Sequence, residues 1–152
     1  MVASSHRMTS IISESLLVAI GVQLACQVYK MFEGLIRNDK AGWRKLFSTG
    51  GMPSSHSAFV ASLTTAMAIN AGLHSELITI SCVFSLIAVY DTVRVRGAIQ
   101  RNLEALRHIM ESIPKAKRPI NSPTLAHTPV EIVTGLLLGI SFPIALNGLG
   151  FL

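Results

Sequence analysis

The chain of 152 residues is 50% hydrophobic and has 14% charged residues, with a mean hydropathy of +0.51. Soluble domains carry about 25% charged residues, so this composition excludes an ordinary soluble protein and predicts a membrane protein. The net charge of +5 comes without a basic patch interleaved with aromatic side chains. We therefore expect membrane lipids, and no nucleic acid, as partners of the basic residues.

Apolar stretches predict four transmembrane helices in chain order. A helix rises 1.5 Å per residue, and the hydrocarbon layer is ~30 Å thick, so stretches of about this length can cross it. The spans cover about 10–32, 56–73, 76–91 and 129–146. Polar residues within the first stretch leave an amphipathic surface helix as the alternative there.

Two of these spans have the composition of closely packed helices. Small residues alternate with larger apolar ones in the second span, which favours a central position surrounded by protein. In the fourth span, Gly135 and Gly139 have the spacing that lets two helices approach closely, and Pro143 predicts a kink. The glycine pair also leaves room for a homo-oligomer.

The segment of about 92–113 has a different pattern. Arginines alternate with apolar residues that recur at steps of four and three, which predicts an amphipathic helix lying in the membrane interface. The alternative is a soluble extension that packs on its own protein. The predicted fold class is thus all-α: one integral membrane domain, 1–152, with about four transmembrane helices in a bundle plus an amphipathic interfacial helix.

Charge distribution predicts the topology. All but one of the lysines and arginines fall within 30–45 and 94–118, and the positive-inside rule places both segments in the cytoplasm, for a protein of the inner or plasma membrane. His56 at the start of the second span, Asp91 at the end of the third and His127 at the start of the fourth then share the cytoplasmic face.

The stretch from Gly50 to Ala58 joins a basic loop to an apolar helix. Its glycines permit unusual backbone dihedrals, Pro53 presets a helical φ, and Ser54 or Ser55 can cap the helix. A helix start of this kind favours anion binding, because unsatisfied N–H groups and the positive end of the dipole coincide. The alternative is an ordinary glycine turn into a capped helix.

The second helix start of interest follows His127. Thr128 suits the N-cap, Pro129 the first helical position and Glu131 the third, which together form a capping box. Glu131 also stands four residues after His127 and could orient its imidazole. The two roles of the carboxylate are compatible.

These polar groups suit one chemistry. Two histidines, a carboxylate, several guanidinium groups and a helix N-terminus are the groups that phosphoryl transfer needs: one imidazole attacks phosphorus, the other protonates the leaving oxygen, and cations hold the remaining oxygens. The sequence has no His/Cys ligand set or Asp-rich cage. We expect no metal and no cofactor.

Three motifs occur in an order that is found in a known superfamily. Pro53-Ser54-Ser55-His56 resembles the Pro-Ser-Gly-His motif of the type 2 phosphatidic acid phosphatase and vanadium haloperoxidase superfamily. His127 with Glu131 resembles the His-x-x-x-Asp end of its last motif. With Tyr90-Asp91 between them, the motifs are most similar to the small divergent membrane branch of that superfamily, and the likeness runs from about Trp43 to Gly139.

The resemblance implies a metal-independent membrane lipid phosphatase. Its substrate would be a lipid phosphomonoester or diphosphate, such as phosphatidylglycerophosphate, phosphatidate or a polyprenyl phosphate. His127 would be the nucleophile that forms a phosphohistidine, Glu131 would orient it, and His56 would be the general acid. The residues placed around the phosphate would be Gly51, Ser54 and Ser55.

The chain departs from the superfamily in its cationic residues. The Arg six residues before the nucleophile is replaced by Asn121, and the first motif, a Lys with Arg-Pro seven residues later, has no clear counterpart. Phosphate-binding cations must then come from elsewhere, and we expect Arg96, Arg101 and Lys45, with Asp91 as an orienting residue. A non-catalytic membrane module that binds anionic lipid or a protein partner is the alternative function.

Overall fold

A computed structural model describes residues 13–36, 51–113 and 128–152. These residues form four α-helices, and no strand occurs among them. The helices are α1 Glu14–Ile36, α2 Ser55–Ala71, α3 Glu76–Glu111 and α4 Pro129–Gly148. The expected all-α helical membrane fold is confirmed.

The helix α2 is the centre of the fold. It packs against each of the other three helices, whereas α1 and α4 barely touch one another. Small residues make this possible, because they let neighbouring backbones come close. The buried positions of α2 are Ser55, Ser57, Ala58, Val60, Ala61, Ser62 and Ala66.

The helix α1 runs antiparallel to α2. Near the start of α1, the Ser15 hydroxyl accepts a hydrogen bond of 3.2 Å from the amide of Asn70 at the end of α2. Further along, the Gln27 amide donates to the Ser55 hydroxyl at the start of α2, at 3.4 Å. A buried apolar cluster lies between these two contacts and consists of Val22, Cys26 and Ala58.

The helix α3 is also antiparallel to α2 and contacts it through hydroxyl groups. The Thr64 hydroxyl lies 2.7 Å from that of Ser81 and 2.9 Å from that of Ser85, and Ser85 donates to the Val60 carbonyl at 3.3 Å. Interhelical hydrogen bonds of this kind contribute about 0.6 kcal/mol each in a membrane protein. They join α3, whose other faces carry exposed apolar side chains, to the centre of the bundle.

The predicted break between a span at 76–91 and a separate helix at 92–113 is absent. The helix α3 continues for 36 residues through Asp91 and is capped at Ser112, two residues before Pro114. The change from apolar to charged residues alters polarity but adds no helix breaker, so the helix does not end there. At ~54 Å it exceeds the ~30 Å hydrocarbon layer, and its arginine-rich half extends beyond it.

Three of the described helices, α1, α3 and α4, are long and apolar enough to cross a membrane. The helix α2 has 17 residues and is capped by Gly72, whose φ of 79° few other residues adopt. Of the four described helices, α2 is therefore the shortest, and it packs against the other three.

The helix α4 runs parallel to α2 and lies very close to it. A Cβ atom on Gly135 would overlap the Ser54 carbonyl, and one on Gly139 would overlap the Ala58 carbonyl and the Ala61 side chain. The predicted close packing at this glycine pair is confirmed, and its partner is α2 of the same chain. The helix continues through Pro143, whose ring is fully buried.

Candidate active site at the starts of two helices

The starts of α2 and α4 lie side by side. The Ser54 N–H donates a 3.0 Å hydrogen bond to the backbone carbonyl of Glu131, in the first turn of α4. Because the two helices are parallel, the positive ends of their dipoles lie at the same end of the bundle, as the charge-based topology predicts. Together they form an environment that favours a bound anion.

Ser54 is the N-cap of α2. Its hydroxyl accepts from the Ser57 N–H at 3.4 Å and from the Ser57 hydroxyl at 3.1 Å, and the side chain is completely buried. Pro53 lies before the cap and so does not take the first helical position. Gly51 has a φ of +93°, a left-handed conformation that favours glycine. The local sequence thus sets the entry of the chain into α2.

The predicted capping box of α4 is confirmed. The Thr128 N–H donates to the Glu131 carboxylate at 3.1 Å, and the Glu131 N–H donates to the Thr128 hydroxyl at 3.3 Å, with Pro129 at the first helical position. The cap holds the carboxylate at the start of α4. His127 immediately precedes this cap in the sequence but lies outside the described residues, so its role as nucleophile stays a prediction.

Lys30 on α1 lies at the candidate site, and the sequence-based prediction misses it. Its side chain is only 2% exposed, and its ammonium group has no hydrogen-bond partner within the described ranges. Its Cδ lies 4.0 Å from where a Cβ on Gly51 would be, and Gly51 is three residues before Ser54, which is hydrogen-bonded to the start of α4. Burying an ammonium group without a hydrogen bond is costly, so this position calls for an anionic partner.

A spacing in the sequence identifies this lysine. Lys30 stands seven residues before Arg37, which is the spacing of the Lys and Arg in the superfamily's first motif, for which the sequence-based prediction has no clear counterpart; Asn38 stands where that motif has proline. The apolar surroundings of Lys30 at the end of the first span conceal the match. Arg37 and Lys45, the lysine expected at the site, both lie outside the described residues.

His56 is the second residue of α2. It is half-buried, and its Nδ1 atom is shielded from solvent. Since each helical residue turns by about 100°, His56 lies nearer the side of Val60, which contacts α3, than the side of Ser57, which packs on α4. His56 and Glu131 therefore share one end of the bundle but approach it from different sides of α2. The general-acid role of His56 stays a prediction.

Asp91 lies on α3 at about the depth of Ser54. The contact between Ser85 and Val60 sets the register of the two antiparallel helices, and six further residues along each lead to Asp91 and Ser54. The Asp91 side chain is exposed. The structure places this carboxylate at the level of the site without a described contact to it.

The two arginines expected at the phosphate lie further along α3. At 1.5 Å per residue, Arg96 is ~8 Å and Arg101 ~15 Å beyond Asp91 along the helix axis. Arg96 is half-buried and Arg101 is exposed, and the Arg101 guanidinium lies 3.6 Å from where a Cβ on Gly97 would be. The phosphate-binding roles of Arg96 and Arg101 stay predictions. The cationic side chain that the structure places beside the two helix starts is that of Lys30.

The described site is suited to hold a phosphate group. Two helix N-termini and a buried ammonium group supply positive charge, while Gly51 leaves space beside the lysine. Within the described ranges, no three His, Cys, Asp or Glu side chains cluster in a way that could hold a metal ion.

Comparisons with known proteins agree with the motifs. The sequence model described as the Divergent PAP2 family matches residues 11–142. The "Uncharacterized membrane protein YuiD" of Bacillus subtilis (strain 168) is 32% identical over 145 residues, which covers 86% of this chain and 92% of the relative. No solved structure matches the chain. The resemblance to the divergent branch of the superfamily is thereby confirmed.

Proposed function

The chain belongs to the divergent PAP2 family, and from this premise we propose that it is a membrane lipid phosphatase. It hydrolyses a lipid phosphomonoester or diphosphate through a phosphohistidine, without a metal ion. The observation that carries the proposal is the buried Lys30 ammonium group, which has no hydrogen-bond partner in the described part of the chain and lies beside Gly51 at the starts of α2 and α4.

A phosphate ester satisfies what this site lacks. Its oxygens can accept hydrogen bonds from the Lys30 ammonium group and from N–H groups at the helix starts, and its negative charge offsets the cost of burying the lysine. The same contacts strengthen as charge develops on the phosphoryl oxygens in the transition state. The described cationic groups can therefore serve both binding and catalysis.

The proposed reaction has two steps. An imidazole nitrogen of His127 attacks phosphorus, and the bond from phosphorus to the lipid oxygen breaks while His56 donates a proton to that oxygen. Water then attacks the phosphohistidine, His56 takes up a proton from the water, and inorganic phosphate leaves as His127 is restored. Glu131, held by the cap of α4, stabilises the positive charge on the His127 ring.

The basic segments support a cytoplasmic position for this site. The starts of α2 and α4 follow 30–45 and 94–118, the two segments that hold almost all lysines and arginines. The substrate would then be a lipid of the cytoplasmic leaflet of the inner or plasma membrane.

Phosphate release from a panel of lipid phosphates tests the proposal. Purified protein in detergent micelles with EDTA should release phosphate from phosphatidylglycerophosphate, phosphatidate or a polyprenyl diphosphate. His127→Ala should abolish the release, whereas His74→Ala, at the exposed turn between α2 and α3, should leave it unchanged. Full activity of His127→Ala would refute the nucleophile assignment.

The non-catalytic membrane module remains the second candidate function. It is favoured by Asn121, which replaces a cationic residue of the superfamily's last motif. It predicts binding to anionic vesicles with no phosphate release from any lipid of the panel, and no effect of His56→Ala on that binding.

A further inference from the structure

An apolar cleft opens between α1 and α4. Its volume is about 550 Å³. It exists because Gly135 and Gly139 draw α4 onto one side of α2 while α1 packs on another, so that α1 and α4 barely meet. The side chains that define it include Ala25, Tyr29, Pro53, Thr134, Leu138 and Phe142.

One end of the cleft adjoins the candidate active site. Pro53 lines the cleft and directly precedes the buried cap Ser54. On the α1 side, Cys26 and Glu33 line it, one turn before and one turn after the buried Lys30. The phosphate position therefore lies next to the cleft, within one helical turn of Cys26 and Glu33.

The other end of the cleft points towards the middle of the membrane. Its lining on α4 runs from Thr134 to Phe142, which is ~12 Å along the helix axis, or a little under half of the ~30 Å hydrocarbon layer. The Thr134 hydroxyl donates to the Val130 carbonyl at 2.7 Å, so its hydrogen-bonding capacity is used within α4. Apart from Glu33 at the end near Lys30 and the hydroxyl of Tyr29, the other lining side chains are apolar.

We infer that this cleft holds one hydrocarbon tail of the lipid phosphate, with the phosphate at Lys30 and the tail directed along Leu138 towards Phe142. The inference rests on the proposed function. A polar head site next to an apolar groove that extends ~12 Å towards the middle of the membrane matches an amphiphile whose phosphate lies at the interface. A second tail, where the lipid has one, stays in the surrounding bilayer.

Tryptophan substitution within the cleft tests the inference by substrate tail length. Leu138→Trp should fill the cleft and lower kcat/KM for a long-chain phosphatidate at least tenfold, while kcat/KM for dihexanoyl phosphatidate stays unchanged. Leu137→Trp is the matched control, because Leu137 is the neighbouring residue, is 63% exposed and does not line the cleft. Equal losses for both substrates, or no loss for the long-chain substrate, would overturn the inference.

Photocrosslinking separates this inference from the proposed catalysis. A phosphatidate with a diazirine in its acyl chain should label peptides of α1 and α4. Excess unlabelled phosphatidate should compete, phosphatidylcholine should not, and Leu138→Trp should lower the labelling at least fivefold. Labelling of this kind without phosphate release would support the cleft and refute the phosphatase. Phosphate release with labelling confined to other helices, or labelling that phosphatidylcholine competes equally, would refute the cleft.

Discussion

Replacing Lys30 with methionine should separate stability from activity. Methionine keeps a long, flexible side chain but removes a charge that is 98% buried and has no hydrogen-bond partner in the described part of the chain. Burying an ammonium group without a hydrogen bond costs free energy, and even whole buried ion pairs can often be replaced by apolar side chains with no loss of stability or a gain of about 1–4 kcal/mol. The melting temperature of Lys30→Met should therefore stay the same or rise.

The activity should change in the opposite direction. Removing one preorganised donor from a site where negative charge develops lowers kcat by about 10²–10³-fold, or ~2.7–4 kcal/mol of transition-state stabilisation. We expect a loss of this size in phosphate release by Lys30→Met. Lys30→Arg keeps the charge but brings a larger, planar group beside Gly51 and should recover only part of the activity.

Phosphate release and thermal unfolding, measured in the same detergent, check this prediction. The matched control is Arg94→Met, which removes an exposed cation from α3 and should leave both measurements unchanged. Retained activity in Lys30→Met would refute the role of the ammonium group. A fall in melting temperature that accounts for the lost activity would refute the argument that Lys30 is held there for function and not for folding.

Further predictions concern the helix contacts and the anion site. Gly139→Val forces a side chain into α2 and should lower the free energy of unfolding by about 1–3 kcal/mol. Gly21→Ala is the control and should leave it unchanged, because no atom lies within 4 Å of a Cβ at Gly21. Thermal unfolding measures both variants. In Glu131→Gln the amide oxygen can still accept the hydrogen bond from the Thr128 N–H, so the melting temperature should stay the same while kcat falls at least tenfold. An unchanged kcat would show that the carboxylate serves only as part of the helix cap. Vanadate should inhibit competitively, because it mimics the transition state of phosphoryl transfer; phosphate release that vanadate leaves unaffected would contradict the mechanism.

Features that depend on neighbouring residues follow directly from the sequence. The caps at Ser54 and Thr128 use hydrogen bonds within three residues, so their side chains alone predict them. The close approach at Gly135 and Gly139 follows from the lack of side chains. The break predicted after Asp91 is wrong for an equally local reason, because a change in polarity does not by itself end a helix, and α3 continues through Asp91.

Sequence by itself determined that this is an all-helical membrane protein with two capped helix starts at one face, because hydropathy and capping are properties of short segments. Only the tertiary structure decided that Lys30 is buried beside those starts and that a cleft lies next to them between α1 and α4. Both depend on which helices meet. The burial of a charge, or a gap between two helices, arises from residues far apart in the chain, here from α1 and α4 packing on different sides of α2.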